Sequence, residues 1–184
     1  MTLKNAFDEF MFQKELAGLS PASLSDYRNY ITIMLNHVGE SMDLESVTYE
    51  LVAGYIMVLL HRPLSKATIS TYVRNARIFL RWVHAEYGLS FDPVKIKVPK
   101  PPKKNVHVLS SAEIQYLLDS AKCSVPWLTA RNKAIIALML DSGLRQNEVC
   151  TLVKKGLDFD RGALQVTGKG CKDRLVPLGY ISKM

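Results

Sequence analysis

The 184-residue sequence has little cysteine: three residues, Cys123, Cys150 and Cys171, with no Cys-x-x-Cys spacing among them. An odd, scattered set of this kind argues against a disulfide framework or a zinc site and fits a reducing compartment. Long apolar runs are missing too. The longest, near Ile56–Leu60 and Ala134–Leu140, fall far short of the roughly 20 residues that a bilayer span requires. No apolar stretch of signal-peptide type follows Met1. A cytoplasmic, nucleoid-associated protein is therefore expected, with no membrane partner. Internal repeats and low-complexity tracts are absent. So is the Gly-x-x-x-x-Gly-Lys-Ser/Thr spacing of a nucleotide-binding loop. No metal and no cofactor is expected.

Acidic residues are scarce in one part of the chain. Residues 61–107 carry ten Lys/Arg against two Asp/Glu, whereas residues 1–60 carry three against eight and residues 108–184 eleven against seven, for a net charge of +7. A basic middle behind an acidic start suits a polyanionic partner, most often nucleic acid; a solvated basic surface is the other reading.

Residues 3–18 predict an amphipathic helix carrying Phe7, Phe10 and Met11, stopped by Gly18. Ser20-Pro21 predicts the start of a second, because serine caps free N–H groups and proline has none to lose at the first helical position. That helix runs to about His37 and ends at Gly39. A third begins at Thr48 and breaks at Pro63. A fourth, capped by Ser65, runs to Tyr87 and stops at Gly88. On this fourth helix Ile69, Tyr72, Val73, Ala76, Leu80 and Val83 form an apolar stripe, while Lys66, Ser70, Arg74, Arg77 and Arg81 recur at helical spacing on another face. A helix so divided can dock on a core and offer its charge to DNA phosphates. Only Glu86, at its end, is acidic. A helical DNA-binding domain is thus placed at residues 1–90.

Residues 91–107 change character. Pro93, Pro99, Pro101 and Pro102 alternate with Lys95, Lys97, Lys100, Lys103 and Lys104. Such dense proline favours an extended chain, so the stretch is read as a semi-rigid basic linker. Lys103 and Lys104 can follow a phosphate backbone, or the segment can be a tether without a ligand. A second domain, 108–184, opens with the capping-box pattern Ser110-Ser111-Ala112-Glu113 and a helix over Ile114–Ala121. A buried helix is predicted over about Leu128–Asp141, ending at Gly143, then a short one over Gln146–Val153. Short strands follow at Leu157–Asp160, Ala163–Thr167 and Leu175–Leu178. The fold class is therefore mainly α with a small antiparallel β element.

Two short stretches carry the chemistry. Arg145, two residues after Gly143, has the fork of donors that matches two phosphate oxygens. Glu148, one helical turn on, can hold that guanidinium in place, or the two can be a purely structural ion pair. Lys169 stands between Gly168 and Gly170, where a backbone can approach a ligand and a desolvated lysine can give up a proton. A polar hairpin tip is the plainer alternative.

Ser142-Gly-Leu-Arg-x-x-Glu148, then Thr167-Gly-Lys-Gly-Cys-Lys-Asp-Arg-Leu-Val-Pro-Leu-Gly179, resembles the tyrosine recombinase (phage integrase, Xer-type) family. The basic helical segment with Ser65-Lys66-Ala67-Thr68-Ile69 and Phe79-Leu80-Arg81-Trp82 is similar to that family's SAM-like core-binding domain. The likeness covers nearly the whole chain. It implies a clamp on double-stranded DNA and cleavage through a 3′-phosphotyrosine intermediate without metal or nucleotide. It implies Arg145 as the first catalytic arginine, Lys169 as general acid toward the 5′-oxygen and Glu148 as a supporting acid. Lys172 and Arg174, in the same hairpin, join the DNA-binding set. A second copy or a full-length recombinase on DNA is the implied protein partner. Cys171 and Asn147 depart from the commoner residues of the two motifs. The family's His-x-x-Arg motif and tyrosine nucleophile lie downstream of the hairpin, and the 184 residues contain no His-x-x-Arg. The expectation is a core-binding domain plus the first half of a catalytic domain, binding duplex DNA but inactive in strand cleavage. A non-catalytic DNA-binding or regulatory remnant is the alternative. An uncovered apolar surface near Ile135–Leu140 is also expected.

Overall fold

A computed structural model describes residues 1–103, 105–168 and 173–179. The chain divides into two compact units, Met1–Asn105 and Val106–Met184.

The first unit packs four helices: α1 (Leu3–Leu16), α2 (Pro21–Val38), α3 (Tyr49–His61) and α4 (Lys66–Tyr87). Each begins on a hydroxyl cap. Thr2, Ser20, Thr48 and Ser65 accept from the N–H of Asn5, Ser23, Leu51 and Thr68, satisfying donors that a helix start leaves open. Gly39 and Gly88 close α2 and α4 with positive φ, 108° and 74°. The apolar stripes meet in one core. At its centre the Phe10 ring, fully buried, lies edge-on to Tyr27, Phe79 and Trp82 at centroid distances of 5.5, 5.4 and 5.4 Å. Such tilted contacts add to the burial itself. The Trp82 indole N–H donates to Gln13 at 2.9 Å.

One buried polar atom in this core is unpaired among the described residues: the Tyr55 hydroxyl. Its ring leans on His37, and burial together with Tyr72 raises its pKa. An unmade buried hydrogen bond costs about 1–3 kcal/mol. Tyr55→Phe is therefore expected to leave the first unit as stable or to stabilise it by about 1 kcal/mol. A urea midpoint that falls, with unchanged slope, would contradict this.

The segment read as a linker is not a free tether throughout. Pro93–Lys95 forms a 3-10 turn capped by Asp92, Ile96 is fully buried, and Phe91 and Val98 pack on the helical core. Phe91, Ile96 and Val98 explain this: they bury against the helical core what an extended chain would leave in water.

The second unit contains α5 (Ser111–Ser120), α6 (Pro126–Ser142), α7 (Gln146–Cys150) and the strands β1 (Leu157–Asp158), β2 (Ala163–Thr167) and β3 (Asp173–Pro177). Ser110 and Glu113 cap each other at the start of α5, the reciprocal arrangement that the Ser-x-x-Glu pattern predicts. The strands form an antiparallel sheet in the order β1-β2-β3, with Leu164 opposite Val176 and Val166 opposite Arg174. The core here is small: Leu144, Leu164, Val166, Val176 and Leu178, with Leu138, Val149, Leu152 and Leu157 against it. The helix α6, expected to be buried, has Ala137 as its buried residue, while Trp127, Ile135 and Met139 are exposed. Its apolar residues are spread around the helix, and the described sheet and α5 cover only part of that circumference. An apolar groove of about 830 Å³ lies along it, lined by Ile114, Leu118, Ala134, Leu138 and Phe159 among others.

Candidate nucleic-acid interface

The basic stripe of α4 forms one wall of a groove of about 770 Å³. Arg74, Arg77 and Arg81 line it from the helix, and Lys97 and Lys100 line it from the segment beyond the 3-10 turn. Arg74, Arg81, Lys97 and Lys100 are exposed. Among the described residues none of these five cations forms an ion pair. Unbalanced charge on two walls raises the local concentration of anions.

Three sequence expectations change here. Ser70 is buried, so it belongs to the packed side of α4 and borders the groove only at its floor. Arg77 is half-buried, and its Nη1 donates to the Ile96 carbonyl at 3.2 Å. It holds the second wall of the groove against the first. Lys66 is exposed but is not among the groove-lining residues. Lys103 is exposed, and Lys104 lies outside the described residues. Lys97 and Lys100, which sequence reading left in the linker, line the groove; their regular spacing with the prolines was the available signal.

In the second unit Gly143 ends α6 in the left-handed region, φ 61°. Arg145 then takes the N-cap position of α7. That helix is only five residues long, shorter than sequence reading placed it, so its dipole contributes little; the geometry rests on side chains. Glu148 is 4% exposed and accepts four hydrogen bonds. Its Oε1 accepts from Arg145 Nη1 at 3.1 Å and Arg174 Nη1 at 2.7 Å. Its Oε2 accepts from the Arg145 backbone N–H at 2.8 Å and Arg174 Nη2 at 3.0 Å. The Arg145 side chain is 71% exposed, and it borders a cavity of about 570 Å³ with Gln146, Asn147, Thr151, Thr167 and Gly168. An exposed guanidinium anchored from behind can bind an oxyanion from outside.

Arg174, expected on DNA, donates two hydrogen bonds to Glu148 while its side chain stays 40% exposed. The cause is its register. Cross-strand partners share a face, so Arg174 lies on the face that carries Val166 and Val176, where it stays exposed at the edge and reaches Glu148. The alternation Arg174-Val176-Leu178 was legible as a set on one face. Lys169 and Lys172 lie outside the described residues. Among the described residues no three His, Cys, Asp or Glu side chains stand together as a metal site, and no helix is long and apolar enough to cross a membrane.

The N–H of Arg145 and both guanidinium groups hold the Glu148 carboxyl below the usual carboxylate range, against the opposing effect of burial. A lowered folded pKa stabilises the fold above the unfolded pKa and ceases to do so as pH falls through the folded value. The melting temperature of Glu148→Gln is therefore expected to lie below wild type near neutral pH, with the gap closing on acidification below about pH 4. A gap that is constant across that range would contradict the ionised carboxylate.

The structure thus combines a cationic helical unit with a small α/β unit that carries an anchored, outward arginine. Comparison with known proteins supplies the assignment. Residues 107–183 match the family model described as "Phage integrase family". The chain is similar to tyrosine recombinase XerD of Oceanobacillus iheyensis, with 33% identity over 96% of this chain and 60% of that protein. Its fold resembles a lambda integrase dimer bound to a COC' core site (TM-score 0.80, 19% identity, covering 100% of this chain and 67% of that one). It also resembles a lambda integrase tetramer bound to a Holliday junction (TM-score 0.78, 18% identity, 96% and 51%). Residues 107–183 thus belong to the phage integrase family, and the chain as a whole is similar to tyrosine recombinases. It spans about 60% of the length of the curated relatives it matches.

Proposed function

We propose that this chain binds duplex DNA through the α4 groove and contributes the Arg145 phosphate site to a site-specific recombination reaction that breaks and rejoins DNA through a phosphotyrosine. The observation that carries the reading is the groove itself: five cations on two walls, without an ion pair among the described residues. The family match supports the reaction class, and the two lambda integrase structures, a dimer and a tetramer on DNA, support assembly of several copies on one DNA. In this reading Arg145 stabilises charge developing on the scissile phosphate, Glu148 holds Arg145, and Lys169 protonates the leaving 5′-oxygen. Lys66, Lys103, Lys104 and Lys172 add phosphate contacts.

The 184-residue chain is expected to shift a short random-sequence duplex at low salt, and Arg74→Ala/Arg81→Ala is expected to weaken that shift strongly. Absence of binding at low salt would overturn the proposal. On a nicked substrate that traps covalent intermediates, the same chain is expected to form no adduct. If an adduct forms, one of the 184 residues supplies a nucleophile this reading does not assign.

A further inference from the structure

We propose that Arg174 is a positioning residue which balances the charge of Glu148, so that Arg145 keeps its own positive charge available for a phosphate. This rests on the reading of Arg145 as a phosphate site. It also removes Arg174 from the set of residues that contact DNA.

Glu148 is a buried carboxylate, and a buried charge without a partner is strongly disfavoured. Arg145 alone could supply the partner, but a carboxylate paired with a single guanidinium is neutral as a unit. Arg145 would then present little net charge to an incoming anion. With Arg174 present the cluster holds two cations and one anion, and the surplus of one positive charge has to reside somewhere. The geometry decides where. Arg174 gives two N–H groups to the carboxylate in the parallel, two-toothed arrangement, at 2.7 and 3.0 Å, and its side chain is 40% exposed. Arg145 gives one of its five side-chain donors, at 3.1 Å, and its side chain is 71% exposed. The tighter, less exposed guanidinium neutralises Glu148; the looser, outward one keeps most of its donors free. The four acceptor positions of Glu148 are then filled, two on each oxygen. The carboxylate thus fixes both the backbone and the side chain of Arg145.

The register of the sheet makes this placement a property of the fold. Arg174 stands opposite Val166, whose side chain is buried. A guanidinium on that face is directed toward α7 and away from the solvent face of the hairpin.

A double-variant titration tests the proposal, with a short random-sequence duplex as the probe and affinity read as a function of salt on the full 184-residue chain. Arg145→Met is expected to weaken binding by about tenfold and to flatten the salt dependence by about one phosphate contact. Arg174→Met is expected to do the same, and the double variant R145M/R174M to lose no more than either alone. Adding Glu148→Gln to R174M is expected to restore binding to within about twofold of wild type, because no carboxylate is left to occupy Arg145. Arg174→Lys keeps the charge and is expected to bind close to wild type, which serves as the test if R174M unfolds in a melt. Losses that multiply in R145M/R174M, or a loss in R174M that Glu148→Gln does not restore, would show Arg174 touching DNA itself and overturn the proposal. If R145M binds like wild type while the α4 variants do not, the phosphate-site reading of Arg145 falls and takes the proposal with it.

Discussion

Duplex binding by this chain is expected to weaken by at least about a thousandfold between 50 and 200 mM monovalent salt. The magnitude follows from the number of cations in reach. Arg74, Arg77, Arg81, Lys97 and Lys100 line the α4 groove, and Lys66 stands exposed at the start of the same helix. These six contacts alone, before Arg145, Lys103, Lys104 and Lys172 add theirs, give a log–log slope near −5, which over a fourfold change in salt is about three orders of magnitude. The slope separates the residues by role. Arg74→Ala and Arg81→Ala together are expected to flatten it by about two. Arg77→Ala is expected to do more than remove one contact, because Arg77 also holds the Ile96 carbonyl and with it the wall that carries Lys97 and Lys100. A slope unchanged by R74A/R81A would place the DNA elsewhere on the molecule.

The second large effect concerns stability. Phe10→Ala is expected to destabilise the first unit by about 4 kcal/mol, the usual cost of emptying a fully buried aromatic position. Three rings tilt against Phe10, from α2 and α4, so the vacated space cannot be filled by a small movement of one neighbour. Domains of this size have about 5–15 kcal/mol in total, so the variant is expected to be partly unfolded at physiological temperature and to bind DNA poorly without touching it. Chemical denaturation followed by tryptophan fluorescence checks this directly, since Trp82 lies 5.4 Å from the Phe10 ring. A loss under about 1.5 kcal/mol would mean that the core repacks around the gap.

Much of the helical architecture was legible in the sequence because local chemistry and burial agree there. Ser20, Thr48, Ser65 and Ser110 cap the helices whose starts they predict, and Gly39, Gly88 and Gly143 end α2, α4 and α6. The family motif was legible as well, since Arg145 and Glu148 are close in the chain. What spacing could not supply was the direction of individual side chains. Ser70 falls on the cationic series by counting, yet packs inward, because a small hydroxyl tolerates the core side of α4 that a long cation avoids. Arg174 was counted with the hairpin lysines, but strand register turns it toward Glu148. Ile96 sits among prolines and lysines that read as extended chain; only the presence of α4 alongside gives its side chain somewhere to go. Each of these depends on a contact between residues far apart in sequence or on the phase of a pleat, neither of which residue type alone encodes.

None of the ten residues of α5 is buried. A helix this short is marginal in water by itself, and its capping box contributes about 1 kcal/mol. Ile114 and Leu118, half-buried along the groove with α6, hold it in place. In amide hydrogen exchange α5 is therefore expected at the fast end of the molecule, opening far more often than the helices around Phe10. Anything that fills the apolar groove would register first as slowed exchange along α5, before any change in global melting.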